Sequence, residues 1–150
     1  MGKWFVAPVA VVVAVVYSPP AHSQDAPVDD SAARQIADQA VAKLKADDLN
    51  GMFSVLTKKS VWPQGELAGT EEPLKKQRAS LAPRYGKPLG TVEFIARETV
   101  GQSFVRYVYL EKLERHAYVW RLTFYRGPKE WLVTEVNCDD KPQYLFKPAP

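Results

Sequence analysis

The chain has 150 residues, 46% of them hydrophobic, with 20 basic residues against 17 acidic ones and a single cysteine. That length suffices for one core and leaves no room for a second domain. A surface so nearly balanced in charge argues against a nucleic-acid binder, and one cysteine excludes a disulfide within the chain.

The first stretch, MGKWFVAPVAVVVAVVYSPPAHSQDA, sets one cation, Lys3, before an apolar run from Trp4 to Tyr17 that breaks at Ser18-Pro19-Pro20. Small residues follow at Ala21 and Ser23, so the sequence predicts a secretory signal peptide over 1–23, cleaved before Gln24. The alternative is an uncleaved anchor, but the run is shorter than the roughly 20 apolar residues that cross a bilayer, and it contains Pro8. No cysteine lies in or just after the run to carry a lipid, and Val6 stands where a myristoylation motif needs Ser or Thr. The mature protein is therefore expected in the periplasm or outside the cell, with no stable membrane anchor. In that oxidising compartment the lone Cys138 is either a reactive thiol or a small buried hydrophobe.

Residues 24–30 are polar and acidic and read as a flexible leader, after which Asp30 or Ser31 offers a side-chain oxygen to cap a helix. From Ala32 to Asp47 the apolar positions Ala33, Ile36, Ala37, Ala40, Val41 and Leu44 recur at helical spacing. Asn50-Gly51 is expected to turn the chain into a short second helix carrying Leu49, Met52, Phe53 and Leu56. A loop over 61–70 leads to a third helix at 71–85, with Pro73 in its first turn and Leu74, Gln77, Arg78 and Leu81 along one side. After Gly90 the period changes to two, predicting strands at 91–99, 102–113, 116–126 and 131–138. Helices followed by a strand meander indicate an α+β domain over 31–146, with a short tail at 147–150.

A tight turn at Glu114-Arg115 would place Tyr109 opposite Trp120, Tyr107 opposite Leu122 and Val105 opposite Phe124 on one face. A turn over 126–130 would then set Trp120 against Val136 and Tyr118 against Cys138 on the same face. That face is almost wholly apolar and must be the one the helices cover, with Cys138 buried and inert. The opposite face receives Arg106 and an Arg121–Glu135 pair, but also Val108, Trp131 and Val133 with other apolar residues. So much apolar surface calls for a cover, such as a second copy in a homodimer, unless the register is off by one.

KLKADDLNGMFSVL, RYGKPLGTVEF and the closing run HAYVWRLTFYRGPKEWLVTEVNCDDKPQYLF together resemble small secreted bacterial members of the NTF2-like superfamily. Trp120, Tyr125 and Trp131 stand where such proteins commonly carry aromatics. The resemblance implies helices packed on a curved, mainly antiparallel sheet (an NTF2-like or cystatin-like cone), often enclosing a pocket and often dimeric through the outer face. It implies no single activity, since the fold carries enzymes and inert domains alike.

Enzymes of this kind use a pocket carboxylate or an Asp–His pair. His22 leaves with the signal, His116 reads as a solvated turn residue, and Asp38, Asp47, Asp48, Glu93 and Glu98 read as surface groups. One Cys and one His cannot furnish an N/S metal site, Asp139-Asp140 read as turn formers, and the Gly86–Gly90 segment lacks phosphate-loop spacing. No catalytic residue, metal or cofactor is therefore assigned. What remains is an aromatic concavity of Tyr107, Tyr109, Tyr118, Trp120 and Phe124, either packed core or a site for a small apolar ligand. Two functions stay open: a non-catalytic domain binding a partner protein or an apolar ligand, and an isomerase- or hydratase-type enzyme using a pocket carboxylate with tyrosine hydroxyls.

Overall fold

The structure, a computed structural model, describes residues 27–63 and 66–146. The expected signal peptide, the leader as far as residue 26 and the tail at 147–150 lie outside those residues. The fold is α+β: α1 (Ser31–Lys45), α2 (Leu49–Thr57) and α3 (Ala68–Tyr85) precede β1 (Pro88–Val100), β2 (Phe104–Leu113), β3 (Ala117–Arg126) and β4 (Trp131–Asp139). The strands form one antiparallel sheet in the order β1-β2-β3-β4, so each pairs with its neighbour in sequence.

The periodicity of α1 becomes burial of Ala33, Ala37, Ala40, Val41 and Leu44 against the sheet. Its end is not where the Asn-Gly signal placed it. Asp47 adopts a left-handed backbone (φ 58°), a conformation Asp tolerates better than most residues. Asp48 then caps α2 by accepting from the Gly51 N–H at 2.8 Å. Asn50 and Gly51 therefore lie inside α2, and a Cβ at Gly51 would displace the capping Asp48 carboxylate. Met52, Phe53 and Leu56 carry the apolar stripe onward.

The third helix is different in kind. It lays Leu74 and Leu81 against the core, but of its own side chains described, Tyr85 alone is fully buried. It ends at Gly86, whose φ of 82° favours glycine and whose missing side chain leaves room for Glu114.

The β2–β3 register is the expected one: Val105 faces Phe124, Tyr107 faces Leu122 and Tyr109 faces Trp120, across a turn at Glu114-Arg115. The β3–β4 register departs from expectation. Four residues, 127–130, separate Arg126 from its partner Trp131, and an irregularity follows in which Thr123 faces Glu135 while Phe124 faces Val133. Thr134 is the extra residue of this bulge, and it donates to the Thr123 carbonyl at 3.2 Å. A bulge reverses which face the flanking residues take. Trp131 (6% exposed) and Val133 (0%) therefore belong to the core and not to the outer face where the sequence register placed them. Beyond the bulge Trp120 faces Cys138 and Leu122 faces Val136, two residues from the expected pairing but on the expected face. Cys138 is half-buried and packs against the core, and burial pushes its thiol pKa up.

The edge of β4 is covered by the chain leaving α2. Val133 donates to Lys59 O at 2.7 Å, Val61 donates to Val133 O at 3.0 Å, and the Trp62 indole donates to Thr134 O at 3.1 Å. On the opposite edge β1 carries an irregularity between Phe94 and Ala96, which disrupts a flat pairing surface.

Trp120 sits centrally, between Tyr109 and Cys138, with 2% of its surface exposed. Trp120→Ala is expected to lose on the order of 3 to 5 kcal/mol of stability in denaturant titration, the range for large buried aromatics. A loss below about 1 kcal/mol would mean that the helices do not cover this face.

Candidate functional site

The sheet brings Tyr107, Tyr109, Tyr118, Trp120 and Phe124 together on its helix-covered face, each no more than 2% exposed. Tyr107 and Phe124 meet edge to face with centroids 5.8 Å apart. Buried phenols need partners, and here they are unequally served. The Tyr107 hydroxyl donates to the Asp30 carboxylate at 2.6 Å, whereas the hydroxyls of Tyr109 and Tyr118 are buried with no hydrogen-bond partner. Burial pushes both of these phenols up to about 12. Asp38 lies beside Tyr109 and raises its pKa further, both by charge and as a nearby hydrogen-bond acceptor, although the hydroxyl has no partner at full hydrogen-bonding geometry.

The same face carries a carboxylate that alternation along β2 places there, Glu111, two positions on from Tyr109. It is the one fully buried charged residue among those described, at 1% exposure. Arg78 grips it from α3 with two bonds, of 2.7 Å to Oε1 and 3.2 Å to Oε2, and the Trp120 indole donates to Oε2 at 2.9 Å. Arg78 also reaches Asp47 at 2.8 Å, tying α3 to the turn after α1. Burial pushes the Glu111 carboxyl above its ordinary value, while Arg78 and the indole act in the opposite sense. The parity of residues 105, 107, 109 and 111 was readable in the sequence. Its partner was not, because residues 78 and 111 are joined only by the packing of α3.

Two further clusters close the ends of this face. At one end Asp30 accepts from Tyr107 and, at 2.7 Å, from Arg97, which also donates to Val28 O; the Trp131 indole donates to Asp29 O at 3.2 Å. Val28, Asp29 and Asp30, at the end of the segment read as a leader, are thus hydrogen-bonded to the sheet. Asp30 does not cap α1 with its side chain; the Asp29 carboxylate takes the Ser31 N–H and hydroxyl instead. Burial works to raise the Asp30 pKa, but the bonds from Arg97 and Tyr107 outweigh it and hold the carboxyl below its ordinary value. At the other end the Tyr85 hydroxyl donates to Asp140 at 2.6 Å, and the His116 ring lies 4.3 Å from that of Tyr85 with Nε2 2.9 Å from Asp140 O. His116 is half-buried and packed, not a solvated turn residue. The bond from Tyr85 lowers the Asp140 pKa and raises that of the phenol.

The outer face is more polar than the expected register made it. Arg106 bonds Glu98 at 3.4 Å and Thr123 at 3.3 Å, and Thr123 donates to Glu135 at 3.2 Å, forming a ladder across all four strands. Arg121 pairs with Asp139 and not with Glu135, because the bulge moves Asn137 opposite it. Val108 and Val119 are buried on this face, apart from the main core cluster. A cleft of about 330 Å³ at one end is lined by the ladder together with Val100, Phe104, Val105 and Thr134. Among the described residues no group of three or more His, Cys, Asp or Glu is placed to hold a metal.

No family model matches the chain, and neither a curated protein nor a solved structure matches it.

Tyr109 and Tyr118 give an alkaline signature. Above pH 10, the ordinary phenol value, the unfolded chain gives up protons that the folded chain keeps until about 12. Stability from these groups is therefore complete below pH 10 and is lost as the pH rises toward 12. Ultraviolet titration should show tyrosines ionising late in the folded protein and earlier in its urea-unfolded form; superimposable curves would refute the burial of both hydroxyls. The ion pair gives a second test. Arg78→Ala strands a buried carboxylate and is expected to lose roughly 3 to 5 kcal/mol, while adding Glu111→Gln, which removes the charge, restores part of that loss. A double variant no more stable than Arg78→Ala would show that charge is not what Arg78 satisfies.

Proposed function

We propose that the chain is an exported, non-catalytic binding domain of the NTF2-like kind, holding a small, largely apolar ligand against the aromatic face of its sheet. The observation that carries this reading is the pair of partnerless hydroxyls on Tyr109 and Tyr118. A buried hydroxyl must find a partner or sacrifice roughly 1 to 3 kcal/mol, and two hydroxyls without a protein partner at full hydrogen-bonding geometry on one aromatic face suit a guest that can bond to them. Export is supported by the signal-like pattern of the first 23 residues.

The non-catalytic part of the reading is supported by the state of Glu111. A general base needs a free lone pair within reach of substrate, whereas Glu111 already accepts three charge-assisted or indole bonds and is shut from solvent. It serves better as an anchor for α3 than as a base. The isomerase or hydratase alternative would require Arg78 to release it.

The outer face is the proposed surface for a second copy or another protein partner. Its support is now narrower than the sequence register suggested: with Trp131 and Val133 inside, the exposed apolar residues are Val100, Phe104 and Tyr125, beside the cleft of the Arg106 ladder.

Native mass spectrometry of the folded chain, purified without denaturant from the compartment to which it is exported, tests the ligand reading. A bound small molecule that is lost in Tyr109→Phe and Tyr118→Phe, with both variants at least as stable as the parent, is the expected result. A ligand-free parent, or a ligand indifferent to both substitutions, would sink it. For the outer face, sedimentation equilibrium should show self-association that Phe104→Asp weakens, and a monomer unaffected by that change would remove the proposed homodimer.

A further inference from the structure

One cation of the molecule sits in a setting that its own salt bridge does not explain. Arg34 leaves α1 and places its guanidinium 4.3 Å from the ring centroid of Phe94, 5.4 Å from that of Tyr107 and 6.0 Å from that of Tyr109. Phe94 stands edge-on to Tyr109 and tilted against Tyr107, with centroids 5.7 and 6.5 Å apart, so the three rings gather around the guanidinium. Cations are drawn to the electron-rich faces of aromatic rings, and several rings around one point make the arrangement that recognises quaternary ammonium groups.

The two tyrosines form a closed floor, at 1% and 2% exposure, whereas Phe94 is 45% exposed and the Arg34 side chain 38%. The cage therefore opens to solvent past Phe94. Arg34 is lightly tethered: its ion pair among the described residues is the bond to Asp38 one helical turn on, between two partly exposed side chains, and such pairs contribute little. The acidic groups beside the cage, Asp30 and Asp38, would favour a positive guest with or without Arg34 in place. Asp30 is already engaged by Arg97 and Tyr107, so a guest rich in N–H donors would find Asp38, released when Arg34 leaves, as the one carboxylate acceptor of this pair. A cation coated in methyl groups needs none.

We propose that Phe94, Tyr107 and Tyr109 form a binding site for a small quaternary ammonium group, and that Arg34 is the built-in occupant that such a ligand displaces. The proposal rests on reading the aromatic face as a binding surface, and it specifies the ligand's charge and the internal competitor that regulates access. The hydroxyl of Tyr109, buried beside this cage with Asp38 near it but no partner at full hydrogen-bonding geometry, is the group best placed to bond a polar substituent on the guest.

The test uses tetramethylammonium as probe and follows its methyl protons by nuclear magnetic resonance, where stacked rings produce an upfield shift. Arg34→Ala empties the cage and should bind the probe about tenfold more tightly than the parent, the factor expected from losing one competing cation–π contact. Arg34→Gln, which keeps a polar helix residue, should behave alike and guards against a folding artefact in the alanine variant. Adding Phe94→Leu, which retains apolar bulk without a π face, should abolish the gain. tert-Butanol, of similar shape but neutral, should bind neither variant. Equal affinity in parent and both Arg34 variants, persistence of the gain after Phe94→Leu, or equal binding of tert-butanol would each overturn the proposal. None of these outcomes touches the native-ligand measurement at Tyr118, which leaves Arg34 in place, so failure of the cage and failure of the wider ligand reading are separable.

Discussion

The charge of Glu111 is the constraint around which the helical layer is arranged. A carboxylate at 1% exposure in the middle of an aromatic face cannot stay ionised without partners, because the desolvation it suffers is several kcal/mol. One partner, the Trp120 indole, comes from the sheet itself; the other must come from outside it, and Arg78 supplies it from α3. This explains how a helix that fully buries only Tyr85 among its described side chains is held to the sheet. Besides Leu74 and Leu81, its attachment is polar at its middle, Arg78 to Glu111 and Asp47, and at its C-terminal end, Tyr85 to Asp140. By contrast α1 is held by five fully buried apolar residues.

The bulge at Thr134 has a comparable reach. By changing face within β4 it moves Trp131 and Val133 into the core, where the Trp131 indole fixes the Asp29 carbonyl and Val133 exchanges backbone bonds with the chain leaving α2. The outer face, relieved of two large apolar residues, carries a cross-strand ladder of Glu98, Arg106, Thr123 and Glu135. Bulges also increase local twist, and this one sits next to the cleft at the end of that ladder.

The covered face divides into two halves with different chemistry. Near α3 lie Glu111, Tyr118 and the Tyr85–Asp140–His116 cluster, where polar groups are closely satisfied except for one hydroxyl. Near the start of α1 lie Phe94, Tyr107 and Tyr109 with Arg34 over them, bordered by Asp30 and Asp38. The first half holds the helical layer in place; the second is open to solvent at Phe94 and holds a cation loosely.

The sequence by itself determined the α+β class, the three helices and four strands in order, the β2–β3 pairing and the aromatic membership of the covered face. Each of these follows from a local period or a short turn, where residues near in sequence dictate the outcome. Tertiary structure alone decided the rest. Asp47, not Asn50-Gly51, breaks the first helix, because Asp48 captures the Gly51 amide and thereby draws the pair into α2. The faces of Trp131 and Val133 depend on one extra residue in a hairpin, which no alternation pattern reveals because both parities there are apolar. The pairings of Arg78 with Glu111, separated by 33 residues, and of Arg97 with Asp30, separated by 67, exist only after the helices dock, since side chains so far apart meet through the packing of whole elements and leave no spacing to read.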